Sequence, residues 1–182
     1  GGEKSRWTQA AAELGALKVQ LMGDTLLAAG MVSYFGPFTA GFRDAALSKW
    51  HTLLRDKGLP CSEDFSLVTT LGNPVRIQQW NLHGLPKDEF SANNGIMMFA
   101  SPKFPLCIDP QSQTNKWIRS MEGDHNLVVL KQEDANFMRM METGLQLGRP
   151  VLLENVGEVL DGGLDPVLNK DHFKQGNTRM IR

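Results

Sequence analysis

The chain has 182 residues, a formal charge of −1 and a pI near 6.5, enough length for one core-bearing domain with or without an appendage. A near-neutral balance excludes nucleic acid or an anionic membrane as the main partner, because neither gains much attraction from it. No apolar run approaches the ~20 residues that cross a bilayer, and Gly1 to Arg6 lack an apolar signal core, so the chain reads as soluble and intracellular.

From Glu3 to Tyr34 no proline interrupts, and Trp7, Leu14 and Leu21 recur every seven residues with Ala10 and Leu17 between them. That is the a/d seam of a coiled-coil end or of a helix packed lengthwise on another, and an ordinary amphipathic helix fits so short a pattern too. After Gly23 the small and apolar residues Leu26 to Val32 suit a helix entering a crowded interior. Gly36-Pro37 ends the element, Phe42 to Leu54 forms a second helix with Trp50 on its apolar face, and Gly58 to Pro60 closes it. Cys61 to Thr70 reads as an irregular connection with a short helix or strand, Val75 to Asn81 as a helical turn or two, and Leu85 to Glu89 as turn chemistry.

The second half changes character. Asn93 to Ala100 predicts a short helix, Leu106 to Asp109 a buried strand, and Gln113 to Met121 a helix holding Trp117 and Ile118 inward. Leu127 to Leu130 predicts a second strand, Asp134 to Leu147 a helix ending at Gly148, and Pro150 to Val156 a third strand. Strand, helix, strand, helix, strand with short links predicts an α/β fold, a parallel sheet flanked by helices and preceded by the long N-terminal helix. Cys61 and Cys107 are the only cysteines. Since Cys107 falls in the apolar strand-like run, both are expected as free thiols of a reducing compartment.

Where the first strand runs into a helix, a phosphate-binding loop would place Gly-x-x-x-x-Gly-Lys-[Ser/Thr], whose glycines let backbone N–H groups close round phosphate. Asp109, Pro110, Gln111, Ser112 and Gln113 stand there instead. A carboxylate repels phosphate and Pro110 removes a donor. The end of the third strand, where such folds carry a metal-holding carboxylate and a water-activating glutamate, has Glu154 and Asn155. An asparagine cannot act as a base. Glu154 is then expected to be a polar end of a buried strand, hydrogen-bonded to the neighbouring loop.

Ser112 lacks the glycines of a nucleophile elbow, and its expected role is to cap the following helix, a role open to Asp109 as well. His51, His83, His125 and His172 have no metal-ligand spacing, and the arginines are spread too evenly to define a groove. Met138, Met140 and Met141 belong to a helix facing the sheet and are expected to fill core.

Taken together, the motifs resemble a dynein heavy chain, and within it the fifth AAA+ module, a P-loop NTPase-like fold, with the root of the returning stalk helix. The resemblance is carried by Gly2 to Trp7, Gly23-Asp24, Tyr34-x-Gly36-x-Phe38, Phe42-Arg43, Trp80, Gly84 to Pro86, Asn93 to Ile96, Pro105 to Gln111, Trp117-Ile118 and Gly148 to Val156. Asn115 to Ile118, Leu152 to Glu158 and Phe173 to Gly176 are most similar to axonemal chains of the inner-arm type. Leu160 to Pro166 departs, because related chains more often have Asp-Pro in place of Asp161-Gly162.

The resemblance implies three segments: residues 1–35, the end of the stalk coiled coil and the helix leading inward; 36–92, a helical connecting region; and 93–182, the large subdomain of the module, incomplete at its C-terminus. It implies a module that binds no nucleotide and needs no metal, in a motor that uses ATP and Mg²⁺ in other modules. Its partners would be the neighbouring modules and the stalk of the same chain, with microtubules reached only through the distant stalk tip. The location would be the cytoplasmic cytoskeleton and the axoneme of a cilium or flagellum. Trp7, Leu14 and Leu21 would pack along the stalk helix. The missing initiator Met, and an end at Thr178 to Arg182 inside a strand-like run, fit a piece of a longer polypeptide. Two other readings remain open: an ATPase with Lys116 contacting phosphate and Glu154 a metal, and a stand-alone domain that binds a partner helix.

Overall fold

The computed structural model describes residues 2–176 and 178–181, and of residues 13, 16, 178 and 179 only the backbone. The chain divides into two compact units, one built from residues up to Gln79 plus Pro86–Pro102 and the other from Trp80–Leu85 plus residues from Lys103 onward.

The first unit is helical. Helix α1 (Gly2–Tyr34) meets no proline and runs unbroken; Phe35 N–H donates to Met31 O before the turn at Gly36-Pro37. Helix α2 (Ala40–Asp56) stops where Gly58 adopts φ +69°, a left-handed value that glycine reaches without a Cβ penalty. The short α3 (Leu67–Leu71) starts on Ser66, whose hydroxyl oxygen accepts from Val68 N–H. Helix α4 (Pro74–Leu82) has proline at its first position and belongs to the first unit through Gln79. Helix α5 (Glu89–Ala100) is capped by the Asp88 carboxylate on Ser91 N–H. Leu27, Ala28, Met31, Phe35, Leu54, Leu67, Ala92, Ile96 and Met97 form the core. Trp50 stacks on Phe35 at 4.6 Å between ring centroids, beside Gly30, where an added Cβ would lie 2.5 Å from the indole.

The heptad stripe of α1 has two fates. Trp7, Leu14 and Leu21 are 69, 66 and 58% exposed, whereas Ala28 and Phe35, the next positions at the same spacing, are 1 and 2% exposed. Burial thus begins near Gly23, and the preceding half projects its apolar residues into solvent.

The second unit is α/β. Strands β1 (Val128–Lys131) and β2 (Val151–Glu154) pair in parallel, Val128 opposite Val151 and Lys131 opposite Glu154. Between them runs α7 (Phe137–Gln146), which packs through Phe137, Met141 and Gly144. A Cβ at Gly144 would sit 2.9 Å from Val151, so glycine lets the helix lie close to the strand. Leu130, Phe137, Met141 and Leu164 form the buried cluster. Helix α6 (Gln113–Glu122) buries Trp117 edge-on against Trp80, centroids 5.8 Å apart. A short α8 (Asp165–Leu168) follows a 3₁₀ turn at Gly162–Leu164, where the Asp161 carboxylate accepts from Gly163 N–H. The chain ends in an antiparallel hairpin, β3 (His172–Gln175) with β4 (Thr178–Ile181). The expected terminal strand is β4; Arg182 lies outside the described residues.

Several expectations are corrected. Residues Leu106 to Asp109 form no ladder, and Leu106 and Ile108 are 76 and 82% exposed. A strand is stabilised by its neighbours, and this segment pairs with neither β1 nor β2. Cys107 is accordingly exposed, although both thiols are free as expected. Helix α7 begins three residues late because the Asp134 carboxylate accepts from Lys131 N–H and holds a turn ahead of it. Met138 and Met140 are 36 and 44% exposed, leaving core filling to Met141. Strand β3 gave no apolar alternation and was not expected.

Candidate nucleotide-site remnant

The turn from Asp109 to Gln113 leads into α6, and its glycine-free sequence sets its geometry. Ser112 N–H donates to Asp109 O at 3.2 Å, and Ser112 adopts a left-handed φ of 56°, an uncommon value for a residue with a Cβ. This folds the Asp109 side chain back over the helix start. One carboxylate oxygen accepts from Gln113 N–H at 2.8 Å and the other from Asn115 N–H at 2.9 Å. Ser112 occupies the position ahead of the helix but makes no side-chain capping bond. The capping expectation for Ser112 is therefore corrected in favour of Asp109, whose two oxygens reach two donors where a hydroxyl reaches one.

A helix N-terminus binds anions through outward-pointing N–H groups and the positive end of the helix dipole. Here an internal carboxylate already holds the Gln113 and Asn115 donors. Pro110 contributes no N–H, and the Gln111 side chain is turned to the Gln113 amide at 3.0 Å.

Glu154 ends β2, and its side chain is 12% exposed. The strand itself is half-buried, a correction to the expected buried strand. One carboxylate oxygen, Oε1, accepts from Asn115 Nδ2 and from both Nε and Nη2 of Arg119, with the Nε contact at 2.9 Å. Arg119 Nε also lies 2.9 Å from Asn115 Oδ1, one helical turn earlier. The expected bonding of Glu154 to a loop is thus corrected: helix α6 supplies its partners. The Asn115 bond, and then Arg119, hold the Glu154 carboxyl below its ordinary pKa. Asn155 follows in a left-handed φ of 52° and is exposed. Lys116 is exposed on α6.

The structure thus has Asn115 donate to both carboxylates, with its backbone N–H to Asp109 and its side-chain amide to Glu154. Trp7, Leu14 and Leu21 lie in the other unit, exposed along α1. Asn115 and Arg119 were missed as site residues. Their four-residue spacing on one face of a predicted helix was the available signal, but nothing in the sequence aimed that face at Glu154. Each histidine makes a hydrogen bond: His51 to Ser62 O, His83 to Ser120, His125 to Glu122 and His172 to Lys170 O.

Residues 78–182 match the family described as ATP-binding dynein motor region. The chain belongs to that family. Over all 182 residues it is 49% identical to dynein axonemal heavy chain 3 of Mus musculus. It is 46% identical over 177 residues, 97% of the chain, to dynein axonemal heavy chain 1 of Homo sapiens, and 41% identical over its full length to dynein axonemal heavy chain 2 of Mus musculus. The chain spans 4% of the length of each of these relatives. The turn at Asp109 and the end of β2, the two places where phosphate and metal chemistry was sought in the sequence, both carry internal hydrogen bonds. No helix among the described residues is long and apolar enough to cross a membrane.

Proposed function

We propose that this chain is the fifth AAA+ module of an axonemal, inner-arm dynein heavy chain, and that its role is mechanical. The module hydrolyses no ATP. It connects movement of a ring, driven by ATP and Mg²⁺ in other modules, to a stalk whose returning helix continues into α1, and the stalk tip meets the microtubule. The working location is the ciliary or flagellar axoneme. The full-length similarity to axonemal heavy chains supports the placement.

The observation that carries the reading is the Asp109 carboxylate on the Gln113 and Asn115 N–H groups. A nucleotide phosphate arriving there would have to displace a covalently tethered anion and approach a negative charge. Glu154 is committed through one oxygen, Oε1, on which three donors converge, so binding a metal through that oxygen would break its contacts to Asn115 and Arg119. The half-exposed, half-buried stripe on α1 supports the mechanical part. Its free half offers Trp7, Leu14 and Leu21 to a partner helix, while its buried half is fixed into a packed unit.

Calorimetry with MgATP on a chain extended through the rest of the module tests the nucleotide claim. The expected result is no binding heat, and micromolar affinity would overturn it.

A further inference from the structure

The α1 stripe passes from exposed at Leu21 to buried at Ala28, about two turns apart, and a polar cluster marks the place. Asp24 Oδ1 accepts from Ser62 N–H at 2.8 Å, and Asp24 Oδ2 accepts from the Ser62 hydroxyl at 2.6 Å. Gln20 Oε1, one turn earlier, lies 3.2 Å from the same hydroxyl. The carbonyl of Ser62 is in turn met by His51 Nε2 at 2.8 Å, which ties the connection to α2. Between Gln20 and Asp24 the helix approaches the connection so closely that a Cβ on Gly23 would lie 2.4 Å from Pro60 O and 2.6 Å from Cys61 Cβ.

We propose that Asp24 and Ser62 are a register pin, positioning residues that fix α1 at a single axial and rotational setting. The proposal rests on the reading of α1 as the root of the stalk helix. Sliding α1 by one residue would translate it by ~1.5 Å and turn it by ~100°. Either movement takes the Asp24 carboxylate off both Ser62 donors and puts a residue with a Cβ where only Gly23 fits. Two charge-assisted bonds and a backbone-limited contact therefore resist it together. It follows that α1 moves with its unit as one body, and that any register change in the stalk is taken up on the N-terminal side of Gln20. Asp24 and Gly23 are thereby functional residues of a different kind from those at the turn and strand end.

Cys61 reports on the pin because it is half-buried with its Cβ against Gly23, while the exposed Cys107 serves as a reference thiol. In the parent motor chain, alkylation by N-ethylmaleimide is followed at the Cys61 and Cys107 peptides by mass spectrometry, without nucleotide and with ADP-vanadate. The expected result is the same Cys61 rate in both states, a rise of about tenfold in Asp24→Ala and Ser62→Ala, the scale of losing a hydrogen bond to a charged group, and recovery in Ser62→Thr. Cys107 should not change. A Cys61 rate that differs several-fold between nucleotide states, or that ignores Asp24→Ala, overturns the pin. The stalk reading fails separately: if substitutions at Trp7 leave motor coupling intact while Cys61 still responds to Asp24→Ala, the pin stands and the stalk assignment falls.

Discussion

The Asp109 carboxylate lies 2.8 Å from the backbone nitrogen of Gln113 and so fills, from within the chain, the anion position that the start of α6 creates. Replacing it with alanine leaves the Gln113 and Asn115 N–H groups without their partner, at a cost of about 1 kcal/mol, as for other lost caps. Native-state hydrogen exchange should show faster exchange at those two amides in Asp109→Ala, with Asp109→Asn intermediate. Unchanged protection would mean that Asp109 contributes nothing to the helix start.

A pH effect follows from Glu154. Its folded-state pKa is depressed by the Asn115 bond and by Arg119, so its stabilising contribution is complete above the ordinary glutamate pKa of about 4.3 and is lost as pH falls through the lower folded value. Exchange at β2 amides, corrected for the intrinsic rate, should therefore accelerate on acidification below that ordinary value. Glu154→Gln should flatten the response, because no carboxyl remains there to titrate.

Two of the four glycines of α1, Gly15 and Gly23, have opposite predicted signs. A Cβ on Gly15 meets nothing within 4 Å, so Gly15→Ala should stabilise the free half by about 0.5–1 kcal/mol through helix propensity alone. At Gly23 the Cβ would meet the Pro60 backbone at 2.4 Å, and Gly23→Ala should cost about 1–3 kcal/mol in overpacking. Exchange of α1 amides in the two variants reads both signs.

The Trp80–Trp117 pair should be the most sensitive point of the second unit. Both rings are nearly fully buried, 4 and 2% exposed, and they meet edge-on. Trp117→Ala should destabilise by about 3–5 kcal/mol, read as a lowered urea midpoint and as loss of the α6 geometry that holds Glu154.

Much of the layout was legible in the sequence because its signals are local. Proline-free heptads gave α1, Gly58 and Gly148 gave helix ends, and strand-helix-strand alternation gave β1, α7 and β2. Leu106 to Asp109 was misread because an apolar run specifies burial without specifying a partner. The site was half legible: the glycine-free turn and the Glu154-Asn155 strand end could be located in the sequence, because both are local features. What stayed hidden was the filling of those positions. The reach of Asp109 over the helix start depends on the left-handed turn at Ser112, and the Arg119–Glu154 pair joins residues 35 positions apart.

The central claim is that the exposed stripe of α1 transmits movement, and it is tested most directly in an intact motor carrying glutamine at Trp7, Leu14 and Leu21. These side chains are exposed, so the substitutions should change the stability of this chain by no more than about 0.5 kcal/mol. The measurement is microtubule-stimulated ATPase activity. The account predicts that basal turnover is kept and stimulation by microtubules is lost; stimulation equal to that of the unaltered motor would contradict it.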